Sequence, residues 1–260
     1  MTTQRSAREL TIQMHSQPMS VNMAKAWFEF AKPTHFWMQA RFKAIQWLAK
    51  DTIAEAQRIG EIGCGNGVVQ AQIEKEYGKL VTGIDLDLGA LQSSCAERSP
   101  LWCYDITCRK SEFKEMFDLI FLCDVIEHLD DWEGFLRASI FHLSPGGRCI
   151  INVPARMELY SNYDVQAGHV RRYTLNSLRD QIENVGLKWV QGSYWGLGFY
   201  PALAVRKVLL RAYADEKSTI EKGFSAGGFF TEWVMRTLSL VDPKPNPVIG
   251  TSIIALVEKA

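Results

Sequence analysis

Short apolar runs alternate with amphipathic stretches from residue 55 to residue 154. The runs Arg58–Ile62, Leu80–Ile84, Leu101–Ile106, Phe117–Cys123 and Arg148–Val153 are too short for helices and read as strands. Val68–Tyr77, Leu88–Arg98 and Trp132–Phe141 between them carry helical patterns. Connections of this length imply a parallel sheet with helices on both faces. Phe117–Cys123 is almost continuously apolar, which places it at the buried centre of that sheet. Further on, Thr174 caps a helix over Leu175–Val185 and Gly186 stops it. Leu187–Tyr194 is a sixth strand, Phe199–Tyr213 an amphipathic helix, and Thr251–Glu258 a seventh strand. A polar hinge over 215–225, a last helix over Phe229–Leu240 and a stiff Pro243, Pro245, Pro247 connector fill the interval. At the start, residues 1–19 read as a flexible or loosely docked arm. A helix from Ser20 is interrupted by Pro33, and Thr34 caps a second helix through Lys50. The expected organisation is an arm and helical cap over 1–50. One α/β domain over 51–260 follows, with substrate-side elements at 155–173 and 195–245.

The first of these strands runs into the glycine turn Glu61-Ile62-Gly63-Cys64-Gly65-Asn66-Gly67. Without a Cβ these glycines reach backbone angles other residues avoid and let a ligand approach the main chain. Asp85 ends the next strand, about 20 residues further on, where a carboxylate accepts from ribose hydroxyls. Together they predict a nucleoside-containing cofactor. The spacing is G-x-G-x-G rather than the dinucleotide G-x-G-x-x-G, since Val68 stands at the third dinucleotide position. Glu61 would crowd a pyrophosphate and suits a cationic amino-acid end. Asp105 follows the third strand, placed to accept from an adenine amino group while Ile106 packs on the ring.

Composition narrows the function classes. Of 260 residues 47% are apolar and 22% charged, which is ordinary globular usage, and the formal net charge is zero. No basic excess exists to neutralise phosphates, so no nucleic acid is expected as partner. The six cysteines form no C-x-x-C pair and read as reduced, buried small hydrophobes of a cytoplasmic protein. Met1–Ser20 lacks the apolar core of a secretory signal. The longest uncharged stretch, Trp189–Val205, contains three glycines and a proline and does not read as a spanning helix. The helix over 199–213, carrying Arg206, Lys207 and Arg211, reads either as a substrate-site cover or as a peripheral contact with the inner face of a membrane.

Glu61–Gly67, Asp85, Asp105, Asp124–His128 and Pro145-Gly146-Gly147 resemble the motifs of class I S-adenosylmethionine (SAM) methyltransferases. Gly168-His169-Val170-Arg171-Arg172-Tyr173-Thr174 and the His35–Arg41 stretch resemble a bacterial small-molecule branch (type 11 and type 23), often met beside sugar- and lipid-modifying enzymes. The resemblance implies a Rossmann-like seven-stranded sheet, last strand antiparallel, with helices on both faces, an N-terminal helical cap and a C-terminal helical insertion. It implies SAM as cofactor, held by Glu61, Gly63, Cys64, Gly65, Asn66, Gly67, Asp85, Leu86, Asp105, Ile106, Cys123 and Asp124. It also implies in-line methyl transfer to a small-molecule or lipid-linked acceptor, with an O-methyl product on a sugar, lipid-linked intermediate or secondary metabolite.

An oxygen nucleophile needs its proton removed, and His is the base for neutral pH. His128 follows the fourth strand and His169 lies in a polar loop, so both are candidate catalytic residues, with His169 favoured as substrate-facing. Their plainer roles are a fixed strand-helix turn and a loop anchor on Asp164. Trp37, Tyr163, Arg171, Arg172 and Tyr173 are the expected substrate contacts, the arginines inviting a phosphate or carboxylate. No metal is expected. A weaker alternative comes from ubiquinone-pathway O-methyltransferases, whose similar acid-x-x-Glu-His string can hold a divalent ion, here Asp124, Glu127 and His128. Two rival readings stay open, a NAD-dependent oxidoreductase on a similar sheet and a non-catalytic SAM-binding scaffold.

Overall fold

The computed structural model describes residues 11–20, 27–210, 219, 237 and 246–260. Apart from Thr219 and Thr237, the expected hinge over 215–225, the helix over Phe229–Leu240, and Pro243 and Pro245 lie outside the described residues.

All seven expected strands form, and an eighth joins them. In chain order they are β1 (Ile12–Met14), β2 (Ile59–Ile62), β3 (Val81–Asp85), β4 (Leu101–Cys103), β5 (Phe117–Cys123), β6 (Leu143–Pro154), β7 (Leu187–Trp195) and β8 (Ser252–Lys259). They make one sheet in the order β1-β4-β3-β2-β5-β6-β8-β7. Neighbours from β1 to β6 pair in parallel, while β8 pairs antiparallel with both β6 and β7. After the edge strand β1 the chain enters the middle of the sheet at β2, winds outward through β3 and β4, then returns to β5 and β6. The order therefore reverses between β2 and β5, and a doubly wound sheet opens its binding crevice at that reversal.

The strands are buried on both faces, which explains their continuous apolar runs. Along β5, Leu119, Phe121 and Cys123 point into one core while Ile120 and Leu122 point into the other. The first core is closed by α2 (Phe36–Glu55) and α3 (Val68–Tyr77), through Ile45, Leu48, Ile53, Val69 and Ile73. The second is closed by α5 (Trp132–His142) and α7 (Leu175–Asn184), through Leu136, Ala138, Leu178 and Ile182.

Several elements differ from expectation. Residues 12–19 are a docked strand and strap rather than a loose arm. His15 and Ser16 amides both donate to Cys103 O at 2.9 Å, and Met19 N donates to Leu86 O at 3.0 Å. The His15 ring packs edge-on against Trp102 and Phe113, each at 4.9 Å. Around Pro33 the chain gives a short α1 (Trp27–Phe30) and then α2, whose N-cap is His35 rather than Thr34. His35 Nδ1 accepts from Trp37 N at 3.2 Å. α2 also runs past the expected boundary at residue 50 and kinks at Ala49, so cap and sheet share a core. α4 (Leu88–Gln92) stops well before Arg98. The segment 155–173, read as irregular, contains α6 (Asn162–Ala167) with a Ser161/Asp164 capping box. α8 (Tyr200–Leu209) leans on the Met157–Leu159 turn, Lys207 Nζ donating to Glu158 O at 2.7 Å and Tyr200 OH to Glu158 Oε1 at 3.1 Å. No helix among the described residues is long and apolar enough to cross a membrane.

Candidate active site

The turn after β2 is tightened by its own hydrogen bonds. Gly63 N and Cys64 N both donate to Ile84 O at the end of β3, at 2.8 and 3.1 Å. Gly63 and Gly65 hold φ of +72° and +53°, and a Cβ would meet Val125 at 2.6 Å on the first and Phe28 at 2.9 Å on the second. Glycine is required there by angle and by space together. Asp85 ties β3 to the turn, accepting from Gly65 N at 2.8 Å on Oδ2 and from Asp87 N at 2.9 Å on Oδ1. Each carboxylate oxygen keeps a further lone pair for a ligand. Burial raises the Asp85 carboxyl, and these backbone donors offset only part of that rise.

Over this turn, at the β2/β5 reversal, lies a cavity of about 210 Å3. At one end it is bordered by Leu86, Tyr104, Asp105 and Ile106, in the middle by Glu61 to Asn66 and Asp85, and at the other end by Cys123, Asp124, Val125, His128, Leu129 and Phe135. Phe28 and Arg41 enter from the N-terminal helices. The β1 strap supports the Asp105 end, where Ser16 Oγ accepts from Asp105 N at 2.9 Å.

The polar floor is a chain of buried contacts. Trp195 Nε1 donates to Asn152 Oδ1 at 2.8 Å, Asn152 Nδ2 to Asp124 Oδ1 at 2.7 Å, and Arg41 Nη1 to Asp124 Oδ2 at 2.7 Å. These bonds hold Asp124 at φ +58°, a left-handed angle that strains a residue with a Cβ. Beside Arg41 stands Glu61, 3% exposed, with Oε2 lacking a hydrogen-bond partner among the described residues. Burial pushes its carboxyl up to about 8, against the pull of Arg41. A buried cation and a protonatable carboxyl side by side suit a zwitterionic amino-acid group, carboxylate toward Arg41 and ammonium toward Glu61.

The family model for a methyltransferase domain matches residues 26–191, more than half of the chain. The chain belongs to this methyltransferase family. Its sheet and glycine turn are those of the class I, SAM-dependent fold. A ubiquinone biosynthesis O-methyltransferase of Coxiella burnetii is 25% identical over 136 residues, 49% of this chain and 56% of the relative. Phosphoethanolamine N-methyltransferase 1 of Zea mays is 25% identical over 155 residues, 56% of this chain and 31% of the relative. The chain thus spans about a third to little more than half the length of these curated relatives. A SAM-dependent methyltransferase of Thermotoga maritima superposes with a TM-score of 0.58 at 15% identity, covering 86% of this chain and 93% of that one. At that identity the likeness is one of fold.

In this methyltransferase the expected cofactor residues Glu61, Gly63, Cys64, Gly65, Asn66, Asp85, Leu86, Asp105, Ile106, Cys123 and Asp124 border one cavity, with Gly67 just behind them as the left-handed N-cap of α3. The expected substrate contacts are placed elsewhere. Arg172, buried, spends Nε on Asp164 at 2.7 Å and Nη1 on Ala155 O at 3.0 Å. Tyr173 is buried and donates to Ile126 O at 3.3 Å. Tyr163 is buried under the Arg206 guanidinium, 4.1 Å from its ring centre. Trp37 packs at a tilt against Trp195 and Phe199, ring centres 5.0 and 5.3 Å away. These four, with Arg171, do not border the cavity. The invitation to an anionic acceptor is thereby withdrawn for Arg172, whose charge is matched inside the fold.

The two histidines separate. His128 borders the cavity; His169 stands behind it, Nδ1 bonded to Asp164 Oδ1 at 2.9 Å, so the favoured substrate-facing residue is an anchored one. Burial would raise the Asp164 carboxyl, but His169 and Arg172 hold it well below the usual carboxylate range. Asp124 also leaves the expected metal set: its charge is matched by the Arg41 guanidinium at 2.7 Å, and the ligand atoms that cluster among the described residues are those of Glu127, His128 and His169. Arg41 and Phe28 are cavity residues that sequence reasoning missed. The signal for Arg41 was a charged residue on the otherwise apolar buried face of α2, flanked by Ala40 and Phe42.

Proposed function

We propose that this chain transfers a methyl group from SAM to an oxygen of a small-molecule acceptor. The observation that carries the reading is that a single cavity joins Asp85, Arg41 with Glu61, and His128. SAM supplies an electrophilic methyl on a sulfonium with a good leaving group. What the protein adds is alignment and desolvation. Asp85 serves the ribose, Asp105 and Ile106 the adenine, and the Glu61/Arg41 pair the amino-acid end. His128 is the side chain through which the acceptor hydroxyl is activated. The acceptor end is otherwise lined by Val125, Leu129 and Phe135, with no unmatched arginine. That wall favours an apolar or aromatic body bearing a hydroxyl over a phosphorylated sugar. The O-methyltransferase named among the relatives supports an oxygen acceptor; the phosphoethanolamine N-methyltransferase does not bear on it, because Arg172 is bonded inside the fold and neither Arg171 nor Arg172 borders the cavity.

The test uses SAM with a radiolabelled methyl group, incubated with the protein and a lysate of its source. Label is expected in a small-molecule fraction and is expected to vanish in His128→Ala while S-adenosylhomocysteine still binds. Label in the organic extract would mean a lipid or lipid-linked acceptor and would give the exposed Val205, Val208 and Leu209 of α8 a role at a membrane surface. Label confined to protein precipitate, or tight NADH binding without S-adenosylhomocysteine binding, would sink the reading.

A further inference from the structure

We propose that Glu127, His128 and His169 form a site for one divalent transition-metal cation beside the acceptor end of the cavity. Each offers a ligand atom, and these atoms lie within 4.8 Å of one another. Two hydrogen bonds to backbone carbonyls bring them together from distant parts of the chain. Val170 N donates to Glu127 O at 2.9 Å, and Tyr173 OH donates to Ile126 O at 3.3 Å. The segment after α6 is thereby pinned to the turn after β5, and the His128 and His169 rings meet edge to face, centres 4.8 Å apart.

Two features distinguish this cluster from an incidental meeting of polar groups. The first is Glu127. It is fully buried, and neither carboxylate oxygen has a hydrogen-bond partner among the described residues. A buried carboxyl left without a partner is costly, and a cation is the partner that a cluster of two imidazoles and one carboxylate can share with it. The second is the support behind His169. Asp164, buried, holds Nδ1 at 2.9 Å and is itself fixed by Arg172 Nε at 2.7 Å and Ser161 N at 2.9 Å. A carboxylate on one ring nitrogen fixes the tautomer and leaves Nε2 as the electron-pair donor, the arrangement that orients metal-binding histidines.

Two imidazoles with one carboxylate suit zinc, iron, cobalt or manganese rather than calcium or magnesium. Ligand atoms around such an ion stand about 3.4 Å apart, so side-chain rotations of about 1 Å close the site. Three protein ligands leave a coordination position open. Of the three, His128 borders the cavity, so the open side faces the acceptor. The donor set differs from the one expected from the Asp124-x-x-Glu127-His128 string, since Asp124 is paired with the Arg41 cation outside the cluster and His169 stands in it instead. The site lies on the acceptor side of the proposed transfer, but ion binding does not depend on that activity.

Untagged full-length protein, stripped with a chelator, would be titrated with Co2+ by absorbance and with Zn2+ by calorimetry. One ion per chain is expected, with the visible band of a four- or five-coordinate cobalt site. His169→Ala and Glu127→Gln should each weaken uptake by about tenfold or more. Both should still bind S-adenosylhomocysteine, which certifies their fold independently of the metal. Asp124→Asn should keep the cobalt band. Absence of stoichiometric uptake, uptake that survives both His169→Ala and Glu127→Gln, or loss of the band in Asp124→Asn alone would overturn the proposal. Metal uptake without S-adenosylhomocysteine binding would uphold the site while removing the transfer reading.

Discussion

At the scale of single residues, Glu61 couples stability to cofactor binding. Its carboxyl ionises near 4.3 in an unfolded chain and is pushed up to about 8 by burial in the fold. Between those values the native state keeps a proton that the unfolded state has lost. The unfolded state binds fewer protons, so stability falls as pH rises through that window. Urea unfolding from pH 5 to pH 8 should therefore show the wild type losing ground against Glu61→Gln as pH rises. A difference that stays flat would mean that Glu61 is ionised in the fold. An ammonium group at Glu61 reverses the preference, because it favours the carboxylate. S-adenosylhomocysteine affinity should rise toward pH 8 in the wild type and lose that dependence in Glu61→Gln. Arg41 does the complementary work. Burial disfavours its charge, but Asp124 and its neighbours more than restore it, so it remains a cation at the cavity floor.

At the scale of elements, the N-terminal strap explains how an edge strand serves a binding site. β1 adds three residues to the sheet beside β4, and the chain then crosses to Leu86 O through Met19 N. Along the way Ser16 Oγ satisfies Asp105 N, at the end of the cavity given to the adenine. Removing residues 1–16 strips that acceptor and uncovers the Trp102 and Phe113 faces packed by His15. One lost hydrogen bond of this kind is worth about 1 kcal/mol, so S-adenosylhomocysteine affinity should drop roughly fivefold while the protein stays folded. Calorimetric titration of the truncated chain checks this, and unchanged affinity would make β1 a mere edge cover. α8 makes a second point about elements. Two of the cations named on it for a cover or a membrane contact hold it to its neighbours instead, Arg206 lying over Tyr163 of α6 and Lys207 donating to Glu158 O of the Met157–Leu159 turn.

At the scale of the whole molecule, the sheet is the common wall of two cores, and α2, most of which falls in the stretch assigned on sequence to the N-terminal cap, closes one of them. A shared core makes cap and sheet one cooperative unit. Unfolding should then be a single transition by both fluorescence and far-UV circular dichroism. Because the cavity draws on β2, β3, the turn after β4, β5 and α2 together, a ligand there binds only the native state. S-adenosylhomocysteine at about a hundred times its Kd should add about 2.7 kcal/mol to unfolding stability, and NADH should add none. Two separate transitions, or a cap that melts first without weakening cofactor binding, would contradict the shared core.

The sequence by itself determined most of the elements and the residues that border the cavity along the glycine turn, because both are local. A buried parallel strand shows as a continuous apolar run, and a glycine turn with an acid at the next strand tip is written within 25 residues (Glu61–Asp85). The acceptor half was not local. Whether Arg172 meets a substrate or Asp164, and whether His169 faces the cavity or supports His128, depends on how the segment 155–173 folds onto the turn after β5. That docking is fixed by bonds such as Val170 N to Glu127 O, between positions far apart in the chain. The same holds for Arg41, whose role exists only because α2 lays it against Asp124, and for β1, three residues whose strand state comes from an available edge rather than from any pattern of their own. Tertiary structure decided which polar residues were spent on the fold and which were left to face a ligand, since a side chain's partner is set by packing in space and its type alone does not name it.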